Sequence, residues 1–295
     1  MPSTRLAANT AGTCEGVRLP DLDRLTAFIA RSRRLLVLTG AGCSTESGIP
    51  DYRDVDGGWK HRRPVQFSDF VSDEAVRKRY WARSMVGWRR VGGAAPNPAH
   101  RALAALEQAG RIHWLVTQNV DGLHQRAGSR CVTDLHGRID RVVCRDCGRV
   151  TARRDLQSRI VAENPDWVEL DAVSAPDGDA MLVDRDFATF RVPGCAGCRG
   201  MLKPDVVFFG ESVPKARVVK AMDALERADA LLVVGSSLMV WSGYRFARLA
   251  AERGLPVASI NRGRTRADHL LDIKVEESCG EALQQAVRAL PQLRR

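Results

Sequence analysis

Short, unbroken apolar runs that end in a turn and give way to a helical pattern recur along this chain, and that alternation restricts the fold more than any other feature. Residues 34–39 form such a run and lead straight into Gly40-Ala41-Gly42, and residues 112–117, 230–234 and 256–260 repeat the pattern. A strand with one wet face alternates apolar and polar residues, whereas a strand covered on both faces is apolar throughout. Asn97-Pro98 supplies a cap and a first-turn proline for a helix over 99–109 closed by Gly110, and a second helix over 241–253 ends at Gly254. Strands alternating with helices predict an α/β fold, a doubly wound, parallel, Rossmann-like sheet.

Two stretches break this rhythm. Residues 59–88 are aromatic and Arg-rich, with Ser72 placed to cap a helical pattern through Tyr80 and Met85, which predicts a helical insertion. Residues 141–202 hold Cys144, Cys147, Cys195, Cys198 and the polar loop Ala175-Pro176-Asp177-Gly178-Asp179, with no strong periodicity. Two residues between cysteines let one tight turn present both sulfurs to one metal, and two such turns complete a tetrahedron. A redox pair is the competing reading, and Cys147 and Cys195 stand further apart than in a compact zinc ribbon. Four thiolates favour zinc, and they leave no open position, so the ion is expected to be structural and to staple a small domain with a poor core. The expected division is a discontinuous Rossmann-like domain over 20–58, 97–140 and 203–295, a helical insertion over 59–96, a zinc-binding small domain over 141–202 and an N-terminal tail over 1–19.

Composition narrows the function classes. With 44% hydrophobic and 27% charged residues and no apolar run near the ~18 residues of a membrane span, neither disorder nor membrane insertion is expected. The net charge of +10 meets a crude criterion for nucleic-acid binding. However, 39 of the 45 basic residues are Arg, scattered as pairs such as Arg33-Arg34 and Arg89-Arg90, as a GC-rich bacterial genome would produce. Nucleic acid is therefore not the expected partner, while anionic small molecules are. The first 20 residues carry neither the apolar core of a secretory signal nor the basic content of a transit peptide, so a bacterial cytoplasmic location is expected.

The glycine turn after the first strand permits a phosphate to approach backbone N–H groups at a helix start, although Thr45 stands where a dinucleotide fingerprint has its third glycine. Alone it is equally a structural turn. Specificity comes from order: GAGCSTESGIPDYR over 40–53, TQNVDGLH over 117–124, Leu135-His136-Gly137, KPDVVFFGE over 203–211, Gly235-Ser236-Ser237-Leu238 and Ile260-Asn261. From residue 35 onward this series resembles the sirtuins, NAD-dependent protein-lysine deacylases. Residues 79–83, residues 96–100 and the Ala-Pro-Asp-Gly-Asp loop are similar to the class II branch that includes the mitochondrial lipoamidase-type sirtuin and its bacterial relatives.

The resemblance implies a set of roles. Asp121 and Ile49 would hold nicotinamide, Gln118 and Asn119 the ribose, Arg53 the phosphates, and Ser236 and Asn261 the adenosine side. Gly40, Ala41, Gly42, Ser44, Asp51, Tyr52, Gly235, Ser237, Arg262, Gly263 and Cys279 complete the implied NAD contacts, with Tyr52 standing where many relatives have Phe. Val207 would pair its carbonyl with the acyl-lysine N–H and Phe209 would line the lysine tunnel. His136 would be the general base, since an imidazole near its ordinary pKa of ~6.5 can take a hydroxyl proton at neutral pH. Asn119 is the second implied catalytic residue.

In the implied mechanism the acyl oxygen attacks C1′ of the nicotinamide ribose and displaces nicotinamide. His136 then activates a ribose hydroxyl, and water releases free lysine and 2′-O-acyl-ADP-ribose. Acylated-lysine proteins are thus the expected partners and NAD is consumed as a co-substrate. Tyr80 and Arg83, three apart on a helical pattern, could clamp an acidic acyl group as in desuccinylating sirtuins, or be an ordinary packed tyrosine and solvated arginine, so the acyl chain stays open. Mono-ADP-ribosylation is the alternative from the same cofactor cleavage. A non-enzymatic, zinc-bearing nucleic-acid module is the other, and it leaves the Gly40 turn, Asn119 and His136 unexplained.

Overall fold

The computed structural model describes residues 21–60, 64–168, 170, 173–175, 179–182 and 185–290. The expected 1–19 tail and residues 176–178 of the polar loop lie outside the described residues. Six strands form the main sheet: β1 (Leu35–Thr39), β2 (Ile112–Thr117), β3 (Val132–Asp134), β9 (Ala230–Val234), β10 (Val257–Ile260) and β11 (Ile273–Val275). Their order is β11-β10-β9-β1-β2-β3 and every pairing is parallel. All five residues of β1 and all five of β9 are buried, as the unbroken apolar runs require. Alternate residues serve opposite faces. Leu35 and Val37 join one apolar cluster with α1 (Asp21–Arg31), α4 (Pro98–Gln108) and α9 (Cys279–Ala289), while Leu36 and Leu38 join another with α7 (Lys215–Glu226) and α8 (Trp241–Glu252).

Local chemistry sets the helix ends. The Asn97 side chain accepts the His100 N–H at 3.2 Å, capping α4 behind Pro98, and Gly110 takes φ +71°. Further along, the cap differs from the sequence expectation. Ser72 ends α2 (Phe67–Ser72), and it is Asp73 whose carboxylate accepts the N–H groups of Ala75 and Val76 to start α3 (Glu74–Gly93). Aspartate offers the stronger, charged acceptor at the positive end of the helix.

The cysteine-bearing insertion has more order than its lack of periodicity implied. β4 (Gly137–Cys144) pairs antiparallel with β5 (Val150–Ala152) and β8 (Leu202–Val206), α6 (Arg153–Glu163) packs on that sheet, and β6 (Val173–Ala175) pairs with β7 (Asp179–Met181). α6 escaped notice because it is polar on most sides and buries only Arg153, Leu156 and Ile160. Trp81 and Met85 of α3 share one apolar cluster with Val142, Cys144, Leu156 and Cys195. The two insertions, read separately from sequence, therefore have a common core. Among the described residues, no helix is long and apolar enough to cross a membrane.

Candidate active site

The strand order places β1 beside both β2 and β9, so chain connections leave it in opposite directions, and the loops at the carboxyl ends part there to leave a crevice. A cavity of about 570 Å3 occupies it, walled by the loops after β1, β2, β9 and β10, the His136 turn after β3 and residues 207–213 after β8. That volume suits a ligand of cofactor size.

Glycine is needed here first so that two loops can touch. Gly40 and Gly42 donate N–H bonds to the carbonyls of Val234 and Gly235 at 3.0 and 2.8 Å. A Cβ on Gly40 would sit 2.7 Å from Ser236 Cβ, and one on Gly235, which holds φ +60°, would sit 2.2 Å from Cys43 N. The turn over 41–43 is a single 3-10 turn rather than the start of an α-helix, correcting the expected strand-to-helix geometry.

A polar network lines the floor. Ser44 donates to Asp121 Oδ2 at 2.7 Å, and Asn119 Nδ2 donates to Gly40 O and Ser44 Oγ at 2.9 and 3.0 Å. Burial pushes the Asp121 carboxyl up, against the opposing pull of the Leu123 N–H and the Ser44 hydroxyl. Ser236 donates to Gln118 Oε1 at 2.7 Å, linking the loops after β9 and β2.

His136 also lines the cavity. Its Nδ1 lies 3.0 Å from the Gln118 carbonyl, which can only accept, so Nδ1 carries the proton and Nε2 holds a free electron pair. Ser242, near the start of α8, donates to that Nε2 at 2.8 Å. Burial is the main cause that pushes the ring's pKa down to about 4, so the imidazole is neutral at pH 7.

The mouth is aromatic. Tyr52, Trp59 and Phe209 meet edge to face at 5.6–6.1 Å, and the Arg53 guanidinium covers Trp59 at 3.7 Å while donating to Gly57 O. The 207–211 loop is held to the His136 turn by the Val207 N–H, which donates to His136 O at 2.8 Å. Beneath it the buried Lys203 pairs with Glu211 at 2.9 Å, and Glu211 also accepts the Phe208 N–H.

The cavity wall thus brings together His136, Asn119, Gly40, Ala41, Gly42, Ser44, Ile49, Asp51, Tyr52, Arg53, Gln118, Asp121, Gly235, Ser236, Ser237, Asn261, Arg262, Val207 and Phe209. Four expected residues are elsewhere. Gly263 backs Val55, where a Cβ would sit 2.4 Å from the carbonyl oxygen, and Cys279 is buried at the start of α9 with its Sγ 3.9 Å from Ile260 O. Tyr80 packs against Phe70 and Phe208 at 5.3 and 5.2 Å. Arg83 pairs with Asp179 at 2.6 Å and donates to Ala180 O, so an internal carboxylate fills the clamp. Ser242, Trp59, Phe208 and Glu211 were missed from sequence. Trp59 follows the Asp51-Tyr52-Arg53 run closely enough to have been drawn in, whereas nothing local marks Ser242.

Away from the cavity, Cys144 and Cys198 bring their sulfurs to 3.5 Å and Cys147 and Cys195 to 3.8 Å, all four ligand atoms lying within 4.8 Å of one another. Sulfurs about 3.8 Å apart are what four zinc–thiolate bonds near 2.3 Å impose. Backbone N–H groups of Gly197 and Cys198 favour the Cys195 thiolate, whereas the neighbouring sulfurs push the Cys198 thiol up.

The sequence profile of the Sir2 family matches residues 40–242. The "NAD-dependent protein deacetylase 2" of Bradyrhizobium diazoefficiens is 60% identical over 87% of this chain and 94% of its own length. The bovine "NAD-dependent protein lipoamidase sirtuin-4, mitochondrial" is 52% identical over 88% of this chain and 83% of its own. A structure described as a Sir2–p53 peptide–NAD+ complex superposes with a TM-score of 0.71 at 28% identity, covering 90% of this chain and 97% of that one. With a matching profile over most of its length and relatives this similar across nearly all of it, the chain belongs to the Sir2 family.

Proposed function

We propose that the protein is an NAD-dependent protein-lysine deacylase that yields nicotinamide, deacylated lysine and O-acyl-ADP-ribose. The observation that carries this reading is His136, neutral and unprotonated at the Nε2 to which Ser242 donates, lining the same cavity as Asp121 and Asn119. NAD supplies a sugar–nitrogen bond whose cleavage drives acyl removal; the chain supplies the rest. Asp121 and Ile49 orient the nicotinamide amide, and Asn119 and Gln118 hold the ribose. Arg53 and the loop-end N–H groups meet the phosphates, and Ser236 and Asn261 line the adenosine end. His136 Nε2 accepts the ribose hydroxyl proton, with Gln118 O holding Nδ1–H in place. Val207 and Phe209 position the acyl-lysine beneath the aromatic mouth.

The four cysteine sulfurs hold a structural zinc ion, a role their spacing supports. The identity with the bovine lipoamidase supports a place in the class II branch. A neutral acyl chain, acetyl or lipoyl-like, is the expected substrate, because the charge of Arg83 is already matched by Asp179. Incubation with NAD and an acetyl-lysine peptide, followed by mass spectrometry, tests the reading: nicotinamide, lysine peptide and acyl-ADP-ribose should form in equal amounts. ADP-ribose retained on protein, or free acetate without nicotinamide, contradicts it.

A further inference from the structure

Beneath the loop that follows β1, outside the cavity wall, Cys43, His100 and His124 converge, each almost wholly buried. One ligand atom from each lies within 4.8 Å of the others. The two rings are tilted by 55° with centroids 4.7 Å apart. We propose that these three residues form a second metal site, that it takes a divalent ion of the zinc class, and that its occupancy blocks turnover. The last part rests on the deacylase reading above, whereas the existence of the site does not.

The tautomers follow from the hydrogen bonds. His124 Nε2 lies 2.9 Å from Thr39 Oγ1, whose own proton goes to Thr117 Oγ1, so Nε2 is the donor and Nδ1 keeps its electron pair. That Nδ1 is buried without a hydrogen-bond partner. His100 Nδ1 lies 2.8 Å from Asn97 Oδ1, which only accepts, and 3.3 Å from the Asn97 backbone N–H; the shorter contact requires the proton on Nδ1 and leaves the free pair of His100 on Nε2. A buried ring nitrogen with no donor to satisfy it is uncommon in a folded protein and calls for an explanation such as an ion. Burial holds both rings neutral, the form that binds metal. The hydrogen bonds that the two imidazoles donate to Asn97 Oδ1 and Thr39 Oγ1 are of the kind that orient metal-binding imidazoles.

One thiolate and two imidazoles suit zinc-class ions and disfavour magnesium and calcium, which demand oxygen donors. Coordination replaces the S–H bond of Cys43 by an S–metal bond and releases one proton to solvent. A fourth position can be completed by water or by the neighbouring Ser44, whose Oγ lies 3.5 Å from His100 Nε2 and which borders the cavity. The ion with one thiolate carries a net single positive charge. Ser44 connects it directly to Asp121, so the charge would sit against the pocket assigned to the cationic nicotinamide ring and oppose its binding.

The test uses the full-length protein with the Cys144–Cys198 cluster already loaded with zinc, titrated with Co2+ and followed by thiolate-to-cobalt charge-transfer absorption and by metal analysis. One further equivalent is expected, with the absorption band lost and affinity at least about 10-fold weaker in Cys43→Ala. Cys43→Ser, closer in size and checked for folding by circular dichroism, should behave alike, and both variants should deacylate normally when Co2+ is added. Absence of a further equivalent in the wild type, or equally tight binding in both variants, overturns the site. An ion that binds while turnover is unchanged overturns the block.

Discussion

Ser242 donates a hydrogen bond of 2.8 Å to His136 Nε2, the nitrogen assigned to take the ribose proton. The bond stabilises the neutral ring and must yield when a ribose hydroxyl arrives. A neutral hydrogen bond is worth about 1 kcal/mol, which corresponds to about 0.7 pH unit. Ser242→Ala should therefore raise the acidic limb of the kcat/KM–pH profile by roughly half to one unit. An unmoved limb would show that the serine does not act on the base.

Arg83 is paired with Asp179 rather than waiting for a substrate carboxylate. Removing the internal acid should free the guanidinium. Asp179→Asn is expected to raise the ratio of activity on succinyl-lysine or glutaryl-lysine to that on acetyl-lysine peptides, by about tenfold if a charge-assisted bond of roughly 1.5 kcal/mol is recovered. An unchanged ratio would mean that Arg83 does not reach the acyl group.

Three buried histidines make stability depend on pH. His100 and His136 are pushed down to about 4 by burial, and His124 is also lowered. Between about 4 and the ordinary 6.5 the unfolded chain therefore binds more protons than the folded one, so stability rises with pH and is lost as pH falls through that window. At pH 5.5 the loss is roughly 1 kcal/mol for each of His100 and His136. Urea unfolding at pH 7.5 and 5.5 should show a lower midpoint at the acidic pH, with most of the difference removed when His100 is replaced by Gln in combination with His124→Gln. A midpoint independent of pH would contradict the burial argument.

Cys144 and Cys195 share their core with Trp81 and with Phe208, which lines the cavity. Loss of zinc should therefore loosen the site from behind. Chelation is expected to change Trp81 near-ultraviolet signals and to abolish turnover together, in proportion to zinc released. Full activity after verified zinc loss would contradict the structural role.

The sheet was legible because β1 and β9 are continuous apolar runs, and the α4 start because Asn97 and Pro98 are local signals. Helix α6 was not, since it is polar on most sides and buries only Arg153, Leu156 and Ile160. Most of the cavity wall followed from the resemblance to the sirtuins, with Asn119 and Asp121 also marked by their place just past the end of β2. Ser242 did not, because its role exists only once α8 starts opposite the His136 turn, 106 residues distant. The sequence left Arg83 open between a clamp and a solvated side chain, because it cannot show that Asp179 folds back onto it.

In the proposed reaction His136 takes its proton after nicotinamide has left, and His136→Ala separates the two stages directly. The variant, supplied with NAD, acetyl-lysine peptide and labelled nicotinamide, should lose deacylated product by about 100-fold or more while label still exchanges into NAD. Deacylation at the wild-type rate would contradict the account.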